Sequence, residues 1–197
     1  MKEFWNERYG QKEYAYGTEA NDFLKSFKFH EPKKILCLAE GEGRNAVYLA
    51  SQGHDVTCVD YAEMGLKKAK ELATEHDVTL NLICEDLNHF DFGSEKWDVI
   101  VSIFGHFPPE LRQNVHQKFF SALKINGEFI LEAYTKDQLL FKTGGPQSEE
   151  MLYSENMLKK DFELFSSLKL TMLHRTIAEG LYHNGNSAVI QAYGVKK

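Results

Sequence analysis

Cysteine is scarce in this sequence: Cys37, Cys58 and Cys84 are an odd set with no CxxC pair and no metal-ligand spacing. That excludes a disulfide scaffold or a zinc ribbon, and each cysteine lies in an apolar run that reads as a core strand. Proline is equally sparse, at four residues, and no linker or fixed-period repeat divides the 197 residues. A single domain spanning 1–197 is therefore expected. No run of 18 or more apolar residues occurs, and the charged opening MKEFWNERYG has no apolar signal core. The expectation is a cytoplasmic chain without membrane contact. Basic charge is also short: 23 Lys+Arg stand against 29 Asp+Glu, a net charge of −6, which argues against nucleic acid as a partner. Paired histidines at metal spacing are absent, so no metal is expected.

What the sequence does have is rhythm. Apolar runs at Lys33–Ala39, His54–Asp60, Val78–Cys84, Trp97–Phe104 and Gly127–Ala133 read as strands. Between them, Arg44–Gln52, Ala62–Glu75 and a segment opened by Pro109 carry helical patterns, the last with a Leu111, Val115, Phe119, Leu123 stripe. Repeated strand–helix–strand units with near-continuous apolar strands predict an α/β, doubly wound, Rossmann-like sheet covered on both faces. After a short helix near Ser154–Phe162, the runs Leu168–Ile177 and Ala188–Val195 are joined by EGLYHNGNS, which predicts a C-terminal antiparallel hairpin. Thr143–Glu150 (TGGPQSEE) reads as a mobile loop.

In such sheets ligands bind beyond the carboxyl ends of the strands. The run ILCLAEGEGRNAVYLA puts Gly41 and Gly43 at the first of these ends, where a bare backbone approaches a ligand closely. With Ala46 the spacing also satisfies the dinucleotide pattern G-x-G-x-x-A, and Asp60 follows Gly41 by 19 residues. Charge separates the two ligands. Glu40 and Glu42 repel a pyrophosphate, whereas S-adenosylmethionine brings a sulfonium and an ammonium against one carboxylate. Asp60 is placed to accept from ribose hydroxyls, and Asp86, after the third strand, to meet the adenine amino group.

These residues resemble the class I S-adenosylmethionine-dependent methyltransferases, and within them the tellurite-resistance and thiopurine methyltransferase type. The resemblance is carried by GEGRNAVYLASQGHDVTCVD (Gly41–Asp60), EDLNHFDF (Glu85–Phe92), LHRT (Leu173–Thr176) and the opening FWNERY and YAYGTEAN segments. It implies a seven-stranded methyltransferase fold, with residues 1–30 forming a helical cover over the cofactor. It further implies backbone contact at Gly41 and Gly43, adenine flanked by Tyr61 and Ala62 with Asp86 and Leu87 at its edge, and Ser102 and Ile103 near the methionine moiety. Arg44 is assigned to the cofactor carboxylate, Glu40 to the ammonium, and Tyr9, Tyr14 and Gly17 to closure over the top. Departures from the family pattern are Cys37 in place of an acidic residue, Ala39 in place of the first glycine, and Ala20 in place of proline.

Methyl transfer needs alignment and exclusion of water, with a base only for a hard nucleophile. His106, after the fourth strand in IFGHFPP, is the leading candidate for that base; His174 and Arg175 in LHRT resemble the pair that the tellurite-type enzymes use on substrate. His183 in the hairpin turn ranks below them. The expected function is methyl transfer to a small-molecule acceptor, with a thiol or chalcogen oxyanion foremost. An NAD(P)-binding oxidoreductase and a non-catalytic S-adenosylmethionine sensor are the alternatives. The sequence leaves acceptor identity and oligomeric state open.

Overall fold

A computed structural model describes residues 2–197. Seven strands form one sheet: β1 Lys34–Leu38, β2 Asp55–Asp60, β3 Asn81–Cys84, β4 Trp97–Ile103, β5 Leu123–Tyr134, β6 Ser167–Glu179 and β7 His183–Val195. Their order is β3-β2-β1-β4-β5-β7-β6, with β3 through β5 parallel and β7 antiparallel to both β5 and β6. The expected α/β architecture with its C-terminal hairpin is what the chain adopts. Strand alternation explains its two faces. Leu36, Leu38, Ile100, Phe129 and Leu131 enter one core, which also takes Phe119 and Phe162. Ile35, Cys37, Cys58, Val99, Val101 and Ile130 enter the other, against Ala46, Leu49 and Leu66.

The helices are α1 Lys2–Tyr9, α2 Asp22–Lys25, α3 Arg44–Ser51, α4 Glu63–Glu75, α5 Pro109–Ala122 and α6 Glu155–Asp161. The predicted α5 stripe overruns by one residue, since Leu123 already opens β5. The hairpin departs more from expectation. The turn formers of EGLYHNGNS mostly lie within strand, because Glu179 pairs with His183 and only Gly180–Tyr182 bridge the two strands. Cys84 is the other correction. It is exposed rather than core, since β3 is an edge strand with little covering it.

The reversal of strand order falls between β1 and β4, so the carboxyl ends of β2, β1, β4 and β5 open toward one region. Helix α1 lies over that region. It packs on α4 through Tyr9, which clusters with Ala15 and Ala62 and stacks on Trp5 at 5.5 Å. Among the described residues no helix is long and apolar enough to cross a membrane.

Candidate functional site

A cavity of about 1120 Å³ runs along these strand ends, under α1. Of the residues singled out from the sequence, Tyr9, Gly17, Glu40, Arg44, Asp60, Tyr61, Asp86, Leu87, Ile103 and His106 line it. Tyr14, Gly41, Gly43, Ala62, Ser102, His174 and Arg175 do not.

Asp60 ends β2 as a buried carboxylate fixed by backbone amides: Gly41 N–H donates to Oδ2 at 2.9 Å and Ala62 N–H to Oδ1 at 2.8 Å. Burial pushes its pKa up to about 6, against the pull of these amides. Gly41 and Ala62 thus form the seat of Asp60 rather than the cavity wall. Asp86 is held in its own turn, accepting from the Asn88 backbone and side-chain amides at 2.8 and 2.9 Å.

The glycines act differently from each other. Gly41 has φ +60, and a Cβ there would collide with the Tyr9 ring. Gly43, at φ +86, would collide with Ala69 of α4, so the close packing of α3 on α4 requires glycine there. The acidity of the turn is also muted. Glu42 forms a buried ion pair with Lys68 at 2.8 Å. Glu40 caps α3, its Oε1 accepting from Asn45 and Ala46 amides at 2.9 Å each, and burial pushes its pKa up to about 7. The attraction for a cation expected from two free carboxylates therefore falls mainly on the second oxygen of Glu40.

His106 is held at both nitrogens. Nδ1–H donates to the Met151 carbonyl at 2.8 Å, which leaves Nε2 to accept from Tyr134 N–H at 3.2 Å. That assignment makes the ring neutral, and burial depresses its pKa to about 4. With no free lone pair, His106 is a brace between β4 and β5. His174 is exposed on β6 and meets the edge of Phe141. Arg175 lies behind the cavity in a network that also absorbs Arg44. Arg175 binds Glu132 through two bonds of 3.0 and 2.7 Å, and Arg44 pairs with Glu179 at 2.6 Å. Asn21, fully buried, donates to both Glu132 and Glu179 at 2.6 and 2.9 Å. Tyr14 packs on the outer side of α4, its hydroxyl donating to the Lys68 carbonyl at 3.3 Å.

His183 is the residue that sequence reasoning underrated. It lines the cavity, is only 8% exposed, and its ring is enclosed by Tyr16, Phe104 and Tyr134 at 4.4, 4.6 and 5.3 Å. Its Nδ1 is buried without a partner, and among the described residues neither ring nitrogen makes a hydrogen bond. Burial, followed by Arg44, His106, Arg8 and Arg175, holds its pKa well below the ordinary histidine value. Its place in a run of turn formers disguised it. Phe104, the first residue after β4, sits at φ +54, a strained conformation that turns its ring against His183 and Tyr134. Among the described residues no cluster of three or more His, Cys, Asp or Glu could hold a metal ion.

Residues 35–127 match the methyltransferase-domain family. Over 128 residues the chain is 32% identical to a glycine/sarcosine N-methyltransferase of Aphanothece halophytica, covering 62% of this chain and 48% of that protein. It is 26% identical over 181 residues to a probable S-adenosyl-L-methionine-dependent methyltransferase TehB of Haemophilus influenzae, covering 88% of this chain and 62% of the relative. The chain thus spans about half to three-fifths of these relatives' length. The crystal structure of TehB from Haemophilus influenzae superposes on all of this chain and 67% of its own, with TM-score 0.72 at 20% identity, a likeness of fold.

Proposed function

We infer that this chain, a class I S-adenosylmethionine-dependent methyltransferase by its matched domain and its strand order, transfers the donor's methyl group to a small-molecule acceptor. The observation that carries the reading is the cavity at the reversal of strand order, with a buried, amide-seated carboxylate at one end and a buried histidine lacking partners at the other. The residues present fit the donor. Each oxygen of Asp60 accepts one amide and keeps a lone pair for a ribose hydroxyl. Tyr61 and Leu87 offer faces for adenine, Asp86 an acceptor at its edge, and Ile103 an apolar contact for the methionine chain. The segment from Lys2 to Gly17 walls the site and would exclude water, whereas Phe23, Leu24, Phe27 and Phe29, also expected in the cover, pack into the sheet core instead. Bound there, S-adenosylmethionine supplies an electrophilic methyl group on a cationic sulfur.

The rest of the cavity is left for the acceptor, and a volume near 1120 Å³ accommodates the donor plus only a compact second molecule. His183 is the group placed to take a proton from that molecule, since its ring is uncharged and uncommitted, whereas both nitrogens of His106 are occupied. A thiol or chalcogen oxyanion is our first candidate class. The glycine/sarcosine relative adds small amines to the acceptors worth testing. Calorimetric titration with S-adenosylhomocysteine and with NADH tests the donor assignment: the former should bind and the latter should not, and the reverse would overturn it. Labelled methyl transfer to a panel of thiols, tellurite, selenite and small amines then tests the acceptor, and turnover of any of them eliminates a purely sensory role.

A further inference from the structure

The sequence holds four arginines, Arg8, Arg44, Arg112 and Arg175. Three are neutralised by carboxylates: Arg44 by Glu179, Arg112 by Asp161 at 2.8 Å, and Arg175 by Glu132. Among the described residues Arg8 forms no ion pair. Its guanidinium is nevertheless fixed in the cavity wall, half-buried, with Nη1 donating to the Tyr16 hydroxyl at 2.8 Å. Its Cζ stands 4.3 Å from the centre of the Tyr182 ring and 4.5 Å from that of Phe4. The rings set the plane of the guanidinium, and Tyr16 takes one of its five N–H donors. A cation ordered in advance, with free donors and no counter-ion, is arranged for a planar anion.

Its position says which anion. Arg8 precedes Tyr9, whose ring lies where a Cβ of Gly41 would be, and Tyr16 N–H donates to Glu42 at 3.4 Å. The guanidinium is thus joined, through Tyr16, to the turn after β1 and stands against Tyr182 of the β6–β7 hairpin. The cation that the sequence suggested for this task is committed elsewhere: Arg44 is bound to Glu179 and, through Nη1, to the Glu19 carbonyl at 3.1 Å. We propose that Arg8 is the anchor for the α-carboxylate of the methyl donor's amino-acid tail. This rests on the donor assignment made above.

The test compares S-adenosylhomocysteine with 5′-methylthioadenosine, which keeps the adenosine and thioether and lacks the amino-acid tail. Both are titrated calorimetrically into the wild-type chain, R8M and R8K. The wild type should bind S-adenosylhomocysteine about 10- to 100-fold more tightly, the range of hydrogen bonds to a charged group. R8M should close most of that gap while binding methylthioadenosine within about two-fold of the wild type, and R8K should restore part of it, since lysine keeps the charge without the fork. An undiminished gap in R8M overturns the anchor. So does a loss of methylthioadenosine affinity in R8M, which would mean that Arg8 merely holds the cover in place. Failure of the wild type to bind either nucleoside would instead overturn the donor assignment itself.

Discussion

The two ends of the cavity are held by contacts of very different reach. At the end formed by β1, β2 and β3, Asp60 binds amides 2 and 19 residues away, Asp86 an amide 2 residues on, and Glu40 amides 5 and 6 residues on. At the end formed by β4, β5 and β7, His106 binds groups 28 and 45 residues away, and the network behind it joins Asn21 to Glu132 and Glu179, 111 and 158 residues away. A contact inside one turn forms as that turn orders. A contact across the whole sheet exists only when every strand is in register. The first end is thus a property of a segment and the second a property of the fold.

The largest effect that would test this contrast is the loss of Glu132. It is wholly buried and accepts from Arg175, Asn21 and Gln191, so Glu132→Ala leaves a buried guanidinium without its main partner. The expected cost is about 3–5 kcal/mol of unfolding free energy, read as a lower urea midpoint. An unchanged midpoint would break the comparison by showing that the long-range network is dispensable.

The next effect separates two histidines of the same region. His183→Gln should lower turnover by about 10²-fold or more for an acceptor that must lose a proton, with S-adenosylhomocysteine affinity unchanged. His106→Ala should instead lower stability by about 1–3 kcal/mol, because the Met151 carbonyl and Tyr134 N–H lose their partner. If His106→Ala proved fully stable and inactive, while His183→Gln stayed fully active, the assignment would have to be exchanged.

The same contrast explains what the sequence made legible. Alternating apolar runs, the glycine turn and Asp60 all lie within short stretches, and periodicity reports on short stretches; the sheet and the Asp60 end followed. The ion pairs of Arg44 and Arg175 are not legible because their partners, Glu179 and Glu132, are remote in sequence, and nothing near an arginine reveals a distant carboxylate. The packing demand at Gly43 is hidden for a similar reason, since the obstacle that requires glycine there is Ala69 on the next helix. His183 sat among turn formers that the tight Glu179–His183 pairing drew into a strand.

Asp60 provides an effect of intermediate size at the local end. Asp60→Ala should weaken S-adenosylhomocysteine binding by about 1.5–3 kcal/mol. The wild-type carboxyl, raised to about 6 by burial, binds ribose hydroxyls best when ionised. Affinity should therefore rise with pH through about 6, the Asp60 carboxyl alone making it roughly four-fold weaker at pH 5.5 than at pH 8 by linkage, with a further rise near 7 as Glu40 ionises. Asp60→Asn should remove the lower step and leave the upper one. A profile equally steep in Asp60→Asn would move the titration to another group.

The smallest effect concerns a pair of backbone positions that mirror each other at the two ends. Ala39 and Phe104 are the first residues after the adjacent strands β1 and β4, and both are left-handed, at φ +48 and +54. A non-glycine residue in that region costs about 1–2 kcal/mol, and glycine recovers this while losing about 0.4–1 kcal/mol to the greater freedom of the unfolded chain. At Ala39, where only a methyl group is removed, Ala39→Gly should stabilise the protein by roughly 0.5 kcal/mol, seen as a slightly higher urea midpoint. At Phe104 the same relief is available, yet the ring that packs at 4.6 Å on both Tyr134 and His183 is lost, and Phe104→Gly should destabilise. Opposite signs at two positions of the same geometry would locate the difference in what the side chain touches. The same sign at both would mean that the wall around His183 does not depend on Phe104.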